Sequence, residues 1–163
     1  MKVNIEPNLA LFEEVKRRIL ADPVNLDMNA IIHESECGTV ACIAGHVALI
    51  VFEASADKWI TERALMAEEA IESRQDVTDF GWSNLSWAAI RALGLHIADA
   101  FWLFQVDGWM EPFKSQYQSR EDELKKMRRH GGLETQKEKV LEIKQQMAEI
   151  TCSRIDHFIA ISK

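Results

Sequence analysis

The sequence is poor in the residues that break or staple a chain. Proline occurs three times, at positions 7, 23 and 112, and glycine seven times in 163 residues. Three cysteines cannot build the disulfide framework of a small secreted fold, so a reducing, cytoplasmic setting is expected. No apolar run reaches the roughly 18 to 20 residues of a membrane helix. The run that follows Ala41 is interrupted by His46 and ends at Glu53. Met1 to Pro7 lacks the apolar core of a secretory signal, which agrees with the same setting. Cationic residues are also in the minority: 19 Lys and Arg against 26 Asp and Glu leave a formal charge of -7. Such a chain is disfavoured as a non-specific binder of nucleic acid or anionic lipid. No segment carries a convincing strand pattern.

What remains is helical periodicity. Leu9, Phe12, Val15, Ile19 and Leu20 recur at helical spacing, with Asn8 as a cap and Asp22-Pro23 as the stop. Residues 24–36 read as a connection. A second helix is expected from Thr39, its N-cap, to Ala54, and a third over 57–73. Segments 85–93 and 95–106 form a helix pair broken at Gly94, and Pro112 starts a short helix near Trp109, Met110 and Phe113. Ser119-Arg120-Glu121-Asp122 looks like a capping box opening another helix, and a long helix fills 134–161. The expectation is an all-α, single-domain helical bundle of about six helices, with a central helix starting near Thr39 and the C-terminal helix packed along it.

Chemistry concentrates in Cys37-Gly38-Thr39-Val40-Ala41-Cys42-Ile43-Ala44-Gly45-His46. Cys42 and His46 are four apart, so on a helix they share a face. A thiol in the first turn is favoured as thiolate by the helix N-terminal partial charge, with His46 as base and free amides as an anion hole. The plain alternative is a small buried cysteine and a core histidine. Gly45 costs helix propensity, which points to close packing or a ligand there, and Thr39 stands beside it at the helix entry. His33, Cys37, Cys42 and His46 also make a Cys/His set suited to tetrahedral zinc, although the spacing is not that of a zinc finger. Without zinc, no cofactor is expected.

Aromatic residues crowd between Phe80 and Phe113. Most of them suit a core, while Trp82 and Trp109 lie in turns and are expected to be exposed contact residues. Residues 96–106 hold no lysine or arginine, so the helix pair around Gly94 does not read as a DNA-binding unit. The basic run Lys125 to His130 follows Glu121, Asp122 and Glu123 and suits a solvated helix face. Arg154, Asp156 and His157 read as a surface salt-bridge group.

The stretch Cys37 to His46 resembles a motif of small uncharacterised bacterial and phage proteins. Those proteins are also similar to this chain in Leu93-Gly94-Leu95, ahead of an alanine- and aromatic-rich helix, and in Arg154-Ile155-Asp156-His157-Phe158-Ile159. By that comparison 119–136 looks like a charged insertion in the domain 1–163. The resemblance implies a bacterial or phage setting. The expected function is a non-enzymatic binding protein that blocks or sequesters a partner, either a protein or a small anionic ligand. A cysteine-dependent enzyme and a metal-binding domain are the alternatives.

Overall fold

Asn8 ties the first helix to a later one. Its Oδ1 accepts the Leu11 backbone N–H at 3.1 Å, capping helix α1 (Leu9–Ala21). Its own N–H and Nδ2 donate to the carbonyls of Leu93 and Ala92, at 2.9 and 3.3 Å, at the end of another helix. One side chain and its amide thus satisfy orphan groups on two helix ends. The computed structural model describes residues 7–29, 32–35, 38–51 and 84–162, with backbone alone for 32–35, 38–40 and 84–85. The helix expected over 57–73 lies outside the described residues.

The apolar stripe of α1, Leu11, Phe12, Val15 and Ile19, is buried. On its outer side Glu14 pairs with Arg17 and Arg18. Asp22 ends the helix and Pro23 opens a 3-10 turn, Pro23–Asn25. Beyond it the chain departs from the helical expectation. Strands β1 (Ile32–Ser35) and β2 (Gly38–Ala41) pair antiparallel, with His33 opposite Val40 and Glu34 opposite Thr39. Thr39 therefore lies in a strand and caps no helix. Gly38 with β-branched Thr39 and Val40 suits extended backbone better than a helix start. Leu26 bridges to Ala41, and the Asp27 N–H donates to the Ala41 carbonyl at 3.1 Å.

Helix α2 (Ile43–Val51) begins immediately after Cys42, later than the sequence suggested. It is buried on nearly every side from Ile43 to Ala48, as befits a helix with no polar face. Helix α3 (Asn84–Leu93) packs on it. Gly94 ends α3 at φ +64°, its N–H donating to the Arg91 carbonyl while Leu95 N–H donates to Ile90. This is a Schellman ending, and its left-handed residue is why glycine stands there. Helix α4 (Ile97–Phe104) then leaves at 110° to α3.

A second 3-10 turn, Val106–Gly108, leads to α5 (Phe113–Arg129). Gly108 is closely hemmed in, since a Cβ there would sit 2.7 Å from the Phe101 carbonyl oxygen. Helix α5 runs unbroken through Ser119, so the capping-box pattern there opens no helix. Gly131, at φ +67°, turns the chain into the short α6 (Gly132–Thr135) and then α7 (Lys137–Ile161). Helices α5 and α7 run antiparallel, with Lys139 paired to Glu123 and Arg120 donating to Gln146.

The described elements form an all-α packed helical bundle with one small hairpin attached, in agreement with the expected class. Among them are seven α-helices, the shortest of four residues. The C-terminal helix does not pack chiefly along α2. Its main neighbours are α5, α1 and the Pro23–Asn25 turn, and α1 touches both α2 and α7. The contact of Phe12 with Phe158, 6.2 Å between ring centroids, marks the α1–α7 seam.

Candidate functional site

The junction between β2 and α2 holds the side chains singled out by the sequence. Cys42 is the residue before the helix, and its carbonyl accepts the His46 N–H at 2.8 Å. The backbone amides of Gly45 and Ala44 lie where they favour negative charge on its sulfur, and Cys42, not Thr39, stands at the helix entry. Those amides stabilise negative charge, but burial outweighs them and pushes the Cys42 thiol pKa up. The residue is only 5 % exposed and its thiol is free. Gly45 is buried, and its amide already serves Cys42.

His46 is equally buried, and neither Nδ1 nor Nε2 has a hydrogen-bond partner. It therefore does not meet Cys42 as a base meets a nucleophile. Burial pushes its pKa down to about 4; Arg18 adds to the depression and Asp22 opposes it. At neutral pH the pair is a protonated thiol and a neutral imidazole. Neither is poised for nucleophilic chemistry. For the zinc set, Cys37 and the side chain of His33 lie outside the described residues. Among the described residues no three His, Cys, Asp or Glu side chains converge as metal ligands.

Tyr117 lies in the neighbouring wall, accepting the Met28 N–H at 3.4 Å, with burial raising its pKa. Lys144, from α7, donates to the Leu26 carbonyl at 2.8 Å, and burial lowers its pKa. These bonds brace the 26–28 segment against α5 and α7. An open polar groove lies between α5 and α7, lined by Ser115, Ser119, Arg120, Gln146 and Ser153. Its one cation, Arg120, is already held by Glu123 and Gln146.

A different arrangement occupies the end of α4. The last carbonyls of a helix lack internal partners. Here Phe101 keeps the helix's own bond from the Gln105 N–H, and the next two carbonyls are satisfied from outside the helix: Trp102 by Arg154 Nη2 at 2.7 Å, and Leu103 by Trp109 Nε1 at 2.9 Å. Trp109 is consequently 3 % exposed, with its ring edge-on to Tyr117 at 5.2 Å. This corrects the expectation that Trp109 is an exposed contact residue; its indole N–H had a buried carbonyl to satisfy. Trp82 lies outside the described residues.

Among the described residues the exposed tryptophan is Trp102, at 54 %. On α7, His157 Nε2 meets Met110 Sδ at 3.0 Å and its ring lies 5.5 Å from Phe113. Met110 is 44 % exposed, and Ile161, one turn beyond His157, is exposed as well. Asp156 pairs with Lys16 on the outside of the α1–α7 seam, as a surface salt bridge.

Sequence reasoning read Trp102 as part of an apolar core face and Arg154 as a surface ion-pairing residue; the first is exposed and the second is buried. A signal for Arg154 was present: it stands four residues after Ile150 and four before Phe158, on the apolar stripe of α7. For Trp102 the hint was four consecutive apolar residues, Phe101 to Phe104, which an α-helix cannot bury on one side.

Comparison of the chain with protein-family models, curated proteins and solved structures finds no match.

Proposed function

We propose that the protein is a non-enzymatic binding module that holds a protein partner against the end of α4 and the facing turns of α7. The observation that carries this reading is Trp102. A tryptophan more than half exposed, on a helix whose end is pinned by two external hydrogen bonds, is a rigid apolar anchor open to a partner. Met110 and Ile161 are further exposed apolar residues, and His157 meets Met110. Tryptophan is enriched among the few residues that dominate binding energy, and it orders at low entropic cost. The resemblance to bacterial and phage proteins supports a partner whose activity is blocked or sequestered by being held here.

The test is capture from a bacterial lysate by the immobilised full chain, compared with Trp102→Ala. The substitution removes a largely solvated ring, so the melting temperature should stay unchanged. Retention of the specifically bound protein should fall by about tenfold or more. Equal retention by both proteins would refute the reading.

A further inference from the structure

Among the described methionines, Met28, Met127 and Met147 are buried, whereas Met110 is 44 % exposed. It belongs to the connection between the Val106–Gly108 turn and α5, and its backbone is held on both sides. Trp109 before it donates to the Leu103 carbonyl, and the Met110 carbonyl accepts the Lys114 N–H at 3.3 Å. Its sulfur reaches α7, where Sδ lies 3.0 Å from His157 Nε2. The His157 ring is steadied in turn by Phe113, 5.5 Å away and inclined at 44°.

A bare nitrogen lone pair at that distance would repel the lone pairs of the sulfur. The proton therefore sits on Nε2, which donates to the thioether, a weak acceptor. One sulfur lone pair is covered by the imidazole, and the second is left for an oxidant. The described thiols compete poorly for the same oxidant. Cys42 and Cys152 are buried, and burial raises both of their pKa values, so neither is present as the reactive thiolate at neutral pH.

We propose that Met110 is a peroxide-responsive modification site, at which oxidation to one sulfoxide epimer releases the 109–111 connection from α7. Hydrogen peroxide is the oxidant. The uncovered sulfur lone pair attacks one peroxide oxygen, the O–O bond breaks and an S–O bond forms. The transferred oxygen gives up its proton to the departing hydroxide, which leaves as water. Sulfur loses two electrons and the peroxide gains them. The sulfoxide sulfur carries partial positive charge, so it repels the Nε2–H that it previously accepted. A flexible apolar side chain has become a polar, chiral one. The release passes next to Trp109, whose indole holds the last turn of α4 through the Leu103 carbonyl. The proposal stands on this contact and on exposure, and does not depend on the binding reading above.

The test treats the full chain with dilute hydrogen peroxide, quenches with free methionine, and follows each methionine by proteolysis and mass spectrometry. Met110 should gain one oxygen about tenfold faster than Met28, Met127 or Met147, or faster still. Epimer-specific methionine sulfoxide reductases, applied to the released peptide, read the stereochemistry. One of the two should restore nearly all of the Met110 sulfoxide from the parent, and each should restore about half of that from His157→Leu. Hydrogen exchange at the Trp109 indole and at the amides of 109–111 should rise about tenfold in the oxidised parent. It should stay unchanged in peroxide-treated Met110→Leu, which separates Met110 from any other oxidised side chain. Similar rates at all four methionines, equal epimers in the parent, the same single epimer in His157→Leu, or unchanged exchange after oxidation would each overturn the proposal.

Discussion

At the scale of single residues, His46 is the most exacting test of the fold. Its imidazole is buried with both nitrogens unpartnered, and its pKa drops from 6.5 to about 4. Between those values the unfolded chain binds the proton and the native chain does not. Stability is therefore fully present above pH 6.5 and falls as the pH drops toward 4, by about 3 kcal/mol in total from this group. Urea denaturation as a function of pH should show this loss in the parent and not in His46→Leu. At pH 7 that variant should equal the parent or exceed it by about 1 kcal/mol, since it removes two buried unsatisfied atoms. A marked loss of stability at pH 7 would show that the imidazole has a partner. The sequence showed that Cys42 and His46 share a helix turn. It could not show that burial, rather than the helix dipole, decides the state of both. Burial depends on the elements packed around α2, which no local pattern records. Trp109 and Trp102 were misjudged for the same reason. Their exposure is settled by which indole finds a carbonyl.

At the scale of elements, caps and stops were the legible features. Asn8, Asp22-Pro23 and Gly94 mark their boundaries through side-chain and dihedral chemistry that is local to the chain. The hairpin was not legible, because strands of four residues are stabilised by their pairing rather than by their own composition. The capping-box pattern at Ser119 misled for a related reason. A helix already running from Phe113 has no free N–H groups there to cap. Asn8 does more than a local reading assigns to it, since it also bonds the end of α3. Asn8→Ala should therefore cost about 1 to 2 kcal/mol in chemical denaturation, the upper part of the range for a lost cap. Amide exchange should rise at Leu11 and also in the last turn of α3. If the rise stays within α1, the link between the two helices contributes nothing.

At the scale of the whole molecule, α7 is the organising helix. It packs on α5 and α1, braces the 26–28 segment through Lys144, and pins α4 through Arg154. Its outward residues differ along its length. Leu141 is an exposed apolar residue near its start, whereas near its end Arg154 holds the Trp102 carbonyl and His157 meets Met110. Scattered apolar residues are ordinary on any surface, but a tryptophan 54 % exposed on a pinned helix end is not. The expectation that Trp82 and Trp109 are exposed contacts was reached from composition and turn position; Trp109 is buried on the Leu103 carbonyl, and Trp82 lies outside the described residues.

Site-specific photocrosslinking separates the two ends of α7 most directly. A benzophenone amino acid is placed at position 102 in one protein and, in another, at Leu141, about 20 Å along α7 from Arg154. Each is irradiated in bacterial lysate. The account predicts a discrete covalent adduct with one protein from position 102 and none from position 141. Absence of an adduct at 102, or equal labelling from both positions, would contradict it.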